Sequence, residues 1–231
     1  MSIAGLLLIL AVTNVDLDVV TVPLSNAARV TLTPGARAEL KREGTVTRIS
    51  LEIDRVAPPS TLGPALNTYV VWAISPETIL DNLGELEIKG TKGQFSATTR
   101  LTQFGLLITA EPHYMVDQPS SAVAYRSQSP ETDPRRKTIR VEAGAYDYAQ
   151  LKPVSGVAIH SWVTQARAAY QIAQATGADR LAPTEFRNAQ AALGAMEELI
   201  NRSAPLDVLW PSVNEVIGWS QRAAANARAR R

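Results

Sequence analysis

His113 follows Glu111 by two positions and precedes Tyr114, just downstream of the apolar run at residues 104–110. An imidazole, a carboxyl and a phenol so close together are the groups that general acid–base catalysis uses. This is the one polar cluster in the chain that resembles a site. The simpler account of His113 is an ordinary loop histidine after a central strand. Other catalytic groupings are missing. A zinc or non-haem iron centre needs several imidazole, thiolate or carboxylate ligands, and the sequence offers only His113 and His160, with no cysteine. No G-x-S-x-G nucleophile elbow, Walker A loop or G-x-G-x-x-G fingerprint occurs. The paired acids Asp16/Asp18, Glu85/Glu87 and Glu197/Glu198 read as solvated charge, which leaves distant carboxylates that meet in the fold as the remaining route to catalysis. We therefore expect no catalytic site, no cofactor, no metal and no enzymatic activity.

Binding surfaces are the other chemistry to look for. Trp162, Trp210 and Trp219 sit in the second half of the chain, where aromatics on a helical stripe are either core or a carbohydrate- or partner-facing surface. The candidate partner or ligand surface comprises His113, Tyr114, Trp162 and Trp219. Arg135-Arg136-Lys137 and Arg228-Ala229-Arg230-Arg231 are basic enough to touch anionic polymers. The first run has Glu131 and Asp133 nearby, and the second complements a helix C-terminus. With 23 Lys and Arg against 22 Asp and Glu, no long-range field gathers nucleic acid, and none is expected as a partner. Asn201-Arg202-Ser203 matches a glycosylation sequon.

These residues must be positioned by two kinds of element. Residues 28–126 contain short segments rich in Val, Ile, Thr and aromatics, separated by turn residues, which predicts strands. Segments 29–32 and 36–42 flank Thr33-Pro34-Gly35. Ile49, Leu51 and Ile53 alternate with Ser50, Glu52 and Asp54, giving a strand with one wet face. Segments 68–74 and 104–110 are apolar on both faces and are expected to be central or doubly covered. Should they be partly uncovered, edge pairing between copies would build an assembly. Gly90-Thr91-Lys92-Gly93 predicts a hairpin turn between segments 85–88 and 94–99. Segment 122–125 predicts a closing strand, 127–137 a polar linker and 138–141 an edge strand.

From residue 157 the spacing becomes helical. Ile159, Trp162, Val163, Ala166, Tyr170 and Ala173 form one stripe that ends at Gly177, and Phe186, Ala189, Leu193, Met196 and Ile200 form another behind Pro183. These two predict an antiparallel hairpin. A turn around Pro211 precedes a third helix carrying Val213, Val216, Ile217, Ser220, Ala223, Ala224 and Ala227. The expected fold is α+β: an antiparallel, Ig-like β-sandwich followed by an Ala-rich helical hairpin plus a third helix. The expected organisation is a signal-like or first-strand segment at 1–20, a sandwich at 21–145, a linker at 146–156 and the helical module at 157–231. The apolar run within residues 1–12 spans roughly ten residues, half of what a membrane-spanning helix needs. It reads either as the core of a secretory signal or as a buried strand leading into Asp16-Leu17-Asp18-Val19-Val20.

Ala166, Ala169, Tyr170, Ala173, Ala175, Gly177-Ala178-Asp179, Ala182-Pro183, Phe186, Ala189 and Leu193 resemble a helical domain family of unknown function found in bacterial envelope proteins. In that family the unit often stands beside a peptidoglycan-binding domain similar to that of outer-membrane protein A, and no segment here matches such a domain. Tyr69-Val70-Val71-Trp72-Ala73-Ile74-Ser75-Pro76, Asn82-Leu83-Gly84-Glu85-Leu86 and residues 104–112 are similar to uncharacterised β-sandwich segments of environmental bacterial proteins. The resemblance implies a periplasmic, cell-envelope or extracellular location. The expected function is a non-enzymatic structural or interaction protein, self-associating or bound to a protein partner. The alternative is a glycan-, cell-wall- or peptide-binding sandwich that uses loops 58–67 and 111–121.

Overall fold

The structure, a computed structural model, describes residues 12–22, 27–128, 135–153 and 160–231. The signal-like segment up to residue 11 and the centre of the polar linker, residues 129–134, lie outside the described residues. The strands are β1 (Thr13–Thr21), β2 (Ala27–Thr33), β3 (Ala36–Glu43), β4 (Val46–Ile53), β5 (Thr68–Ile74), β6 (Leu80–Glu85), β7 (Glu87–Lys89), β8 (Lys92–Thr99), β9 (Gln103–Glu111), β10 (Val123–Gln128) and β11 (Lys137–Ala143). Among the described residues four helices follow: α1 (Ser161–Ala175), α2 (Ala178–Leu181), α3 (Pro183–Asn201) and α4 (Leu206–Ala229).

All strand pairs are antiparallel and lie on one sheet. The path runs β11-β1-β9-β10-β2-β3-β4-β8-β7, while β5 joins the other edge of β9 and β6 joins β5. Because β7 follows β6 directly in sequence, the sheet curls back on itself into a nearly closed barrel. One closing link is the Leu86 N–H, which donates to the Tyr69 carbonyl at 2.9 Å. A single curled sheet thus stands where two facing sheets of an Ig-like sandwich were expected. The physical reason lies in β9, which pairs with β5 along one edge and with β1 and then β10 along the other.

Alternation decides which side chains face inward. Ile49, Leu51 and Ile53 of β4 are buried while Ser50 and Glu52 are exposed. With Leu32, Ala38, Leu40, Val71, Phe104, Leu106 and Ile108 they fill the barrel. The opposite faces of β5 and β9 present Val70, Trp72, Ile74 and Leu107 to Val15, Leu17 and Val19 of β1 and to Ile139 and Val141 of β11. That outer layer sits close: a Cβ on Gly105 would lie 2.7 Å from the Asp18 carbonyl oxygen. Every residue of β5 is buried, and both flat strands are paired on both edges. The condition for edge pairing between copies through these strands is therefore not met.

α4 packs along both α1 and α3, and these two also meet each other, through the Arg167–Glu197 pair at 2.7 and 2.8 Å and the stacked rings of Tyr170 and Phe186. Its Val213, Val216 and Ile217 join Val163, Ala166 and Ala169 of α1 and Ala192 and Met196 of α3 in one cluster. Ala223, Ala224 and Ala227 let its last turns approach Ile172 and Ala173 closely. No break occurs at Pro211, which lies inside α4. A proline there costs one helical hydrogen bond and a ring clash, on the order of 3 kcal/mol, which the burial of Leu209 and Val213 beside it opposes. Within the expected linker, Tyr148 packs against both the barrel core and a helical core, and Leu151 is buried in the latter.

Candidate functional site

Two places combine chemistry with geometry, and both lie where the barrel meets the helices. The first is buried. Glu111 ends β9, and its Oε1 accepts the Thr109 hydroxyl at 2.5 Å and the Ser120 N–H at 2.7 Å. Thr109 in turn accepts the Trp72 indole N–H at 2.8 Å. The other oxygen, Oε2, has no partner among the described residues. Burial pushes this carboxyl up to about 8, against the hydrogen bonds from Ser120 and Thr109. Glu111 is therefore neutral at pH 7, and with Oε1 accepting twice the proton belongs on Oε2.

His113 is 1% exposed and its Nδ1 also has no described partner. Burial, helped by the Arg228 charge, drives the ring down to about 3. Arg228 reaches in from the last turn of α4. Its guanidinium lies 3.5 Å from the centre of the Tyr146 ring and 3.8 Å from the Asp117 carboxylate, to which the Tyr146 hydroxyl donates at 3.2 Å. Burial first, then the nearby Glu111, raises the Tyr148 phenol well above its ordinary value. A cavity of about 460 Å³ lies alongside, walled by Ala65, Leu66, Ser120, Ala122, Tyr146 and Tyr148. Glu111 and His113 do not line it. Folding thus buries Glu111 and His113 behind the wall, while Tyr114 goes to the helices.

The placement of His113 corrects its reading as part of a surface. A neutral imidazole tolerates full burial once the chain after β9 turns inward beneath α4. Tyr114 is half-buried mortar: its N–H donates to Gln165 Oε1 at 2.9 Å, its hydroxyl donates to Asn214 of α4, and its ring stacks on Trp210 at 6.1 Å. Trp219 packs against the helical core, with the Arg222 guanidinium 3.9 Å from its ring centre. It is remote from the second site, where Trp210 takes its place.

That second site is an open groove of about 720 Å³. One wall is aromatic: His160, Trp162 and Trp210, with ring centres 4.3 Å and 4.2 Å apart in succession. The rest of its lining includes the stretch from Glu85 to Thr91, Pro58, Pro59, Asn67 and Thr68. His160 is held by capping α1, its Nδ1 accepting the Trp162 N–H at 3.3 Å. Glu85 Oε1 accepts the Thr68 hydroxyl at 2.5 Å and Gln165 Nε2 at 2.7 Å, which fixes the groove's acidic wall to helix α1. Only Trp162 of the four candidate residues lines this groove. Gln165 and Asn214, polar residues on helical stripes, gave no sign in the sequence that they join helices to barrel.

The C-terminal basic run is tied to its own fold. Arg228 is engaged as above, Arg230 donates to the Leu181 carbonyl, and Arg231 donates to the Thr176 carbonyl at 2.6 Å. Among the described residues no group of three or more His, Asp or Glu is placed to hold a metal ion, and no helix is long and apolar enough to cross a membrane. Compared with family models, curated proteins and solved structures, the chain matches none.

Proposed function

We propose that this chain is a non-enzymatic binding protein of the cell envelope or extracytoplasmic space, which engages a polymeric ligand in the groove between barrel and helices. The observation that carries the reading is the Trp162–Trp210 pair, set 4.2 Å apart and lining one groove together with Glu85 and Glu87. Half-buried indoles offer broad apolar contact at small entropic cost, and the polar groups opposite give orientation. Two prolines on the rim keep the groove formed before a ligand arrives. On this reading the strand module does the work of an Ig-like sandwich, and the Ala-rich helices, like those of the envelope family they resemble, supply half of the binding surface.

The test is a titration of the intact chain with chito-oligosaccharides, soluble cell-wall fragments and short peptides, followed by tryptophan emission. A saturable change with one of these classes, lost in Trp162→Ala, is the expected result. Absence of any saturable change, or full retention in the variant, overturns the proposal. Sequencing the N-terminus of protein recovered from fractionated cells tests the location separately.

A further inference from the structure

We propose that the occupant of the groove is an extended, basic peptide segment of a partner protein, which lies along β7 and completes the seam of the barrel; the proposal deepens the groove reading above and rests on it. The seam is visible in the hydrogen bonds. β7 pairs with β8 and with no other described strand, in the register Glu87↔Gln94, Ile88↔Gly93, Lys89↔Lys92. Lys89 and Lys92 close the two-residue turn Gly90-Thr91, where Gly90 has φ +63°. In such a hairpin the closing pair exchanges both hydrogen bonds and the next pair exchanges none. The N–H and C=O of Ile88 therefore point away from β8, toward the open edge.

Two residues earlier the same edge is in use, since Leu86 donates to Tyr69 of the adjoining strand β5. Continuing that register brings Asn67 opposite Ile88, but Asn67 is committed elsewhere. Its N–H donates to the Glu111 carbonyl at 2.8 Å, and its side-chain amide donates to the carbonyls of Ala65 and Pro112 at 3.2 and 2.9 Å. The ladder thus stops one residue pair short of closure, and the groove occupies the gap. Pro58 and Pro59, on its flank, have no N–H with which to close it.

An unpaired strand edge beside an aromatic wall is the arrangement that takes an added strand, the backbone giving affinity and alternate side chains giving specificity. All three residues of β7 are exposed, and Ile88 keeps 36% of its surface in water. Alternate apolar side chains of an added strand would meet Trp162 and Trp210. The groove holds the carboxylates of Glu85 and Glu87 against the single ammonium of Lys89, which already pairs with Glu87 at 2.8 Å. That imbalance favours an occupant with basic side chains. A glycan would use the indoles and leave the Ile88 backbone edge to solvent.

The experiment is affinity selection on the immobilised intact chain with three capped hexapeptide libraries. The first has the pattern Lys-Φ-Thr-Φ-Lys-Φ, Φ being Val, Ile, Leu, Phe, Tyr or Pro. The second is the same library with alternate backbone nitrogens methylated, and the third has Glu for Lys. Chitohexaose is titrated in parallel. Retention of the first library, at least tenfold weaker for the second and third and for the first on Ile88→Pro, is expected. Proline suits this edge because the lost N–H faces outward. Should Ile88→Pro not fold, the methylated library still decides the question on the native chain. Equal retention of methylated and unmethylated peptides overturns the proposal, as does equal retention of the acidic library. Binding of chitohexaose without any peptide overturns it while the groove reading stands, and no binding of either overturns it too, the groove reading then being decided by the cell-wall fragments.

Discussion

Gln165 of α1 and Glu85 of β6 meet through a 2.7 Å hydrogen bond from Nε2 to Oε1, while the other end of the same amide accepts the Tyr114 N–H at 2.9 Å. One fully buried side chain thus binds a helix to two separate parts of the barrel. Gln165→Ala removes both bonds and leaves a backbone donor without its acceptor. A loss of roughly 2–3 kcal/mol is expected, read as a lower denaturant midpoint, whereas an unchanged midpoint would show that the junction does not depend on this residue.

The opposed states of Glu111 and His113 define a pH profile. Glu111 is raised from 4.5 to about 8. Over that window the folded chain keeps a proton that the unfolded chain has lost, so stability falls as pH rises through it. His113 is lowered from 6.5 to about 3. There the unfolded chain holds the extra proton, so stability rises with pH up to 6.5. The two slopes cancel where the windows overlap. Their joint contribution rises from pH 3 to 4.5, is level to 6.5, and falls by on the order of 2 kcal/mol by pH 8. Urea titrations at pH 5.5 and 8 check the falling limb, and equal stabilities at the two would contradict it.

Glu111→Gln isolates one arm of that profile. The amide oxygen still accepts from Thr109 and Ser120, and the amide nitrogen takes the place of the protonated Oε2. With no group to ionise, the loss between pH 6.5 and 8 should vanish, and the rise due to His113 should continue to 6.5. Thermal melts of the two proteins should diverge steadily from pH 4.5 to 8.

Arg228 secures the segment that bridges the two cores. Arg228→Ala removes the cation over Tyr146 and the pair with Asp117, for an expected cost of about 1–2 kcal/mol. The local readout is more telling. Amide hydrogen exchange across residues 146–151 should accelerate more than exchange in β5, and uniform acceleration would mean that Arg228 acts on global stability alone.

Much of the barrel was legible because alternation carries it. The two-sided apolarity of β5 and β9 predicted their double burial, and Ile49, Leu51 and Ile53 predicted the inner face of β4. β6 was missed: its sequence, Leu80-Asp81-Asn82-Leu83-Gly84-Glu85, has no alternation, and every residue in it is only half-buried. Closure of the sheet depends on β9 changing partner along its length, a long-range choice that local patterns do not encode. The place of α4 between two helices was hidden because stripes of alanine fit any neighbour. At the candidate site, sequence brought Glu111 and His113 to notice but could not show that they face inward. The groove escaped notice because its walls come from residues far apart in the chain.

The position of α4 has a consequence for the order in which the protein assembles. α1 and α3 meet through Arg167–Glu197 and Tyr170–Phe186 but each packs most extensively against α4, so neither has its full set of partners until residues 206–229 have left the ribosome. The barrel, by contrast, has all its described strands once β11 has emerged. During synthesis the strands can reach their final packing first, while α1 and α3 wait as short, marginal helices, open to chaperones, until the last of the four arrives to lie between them.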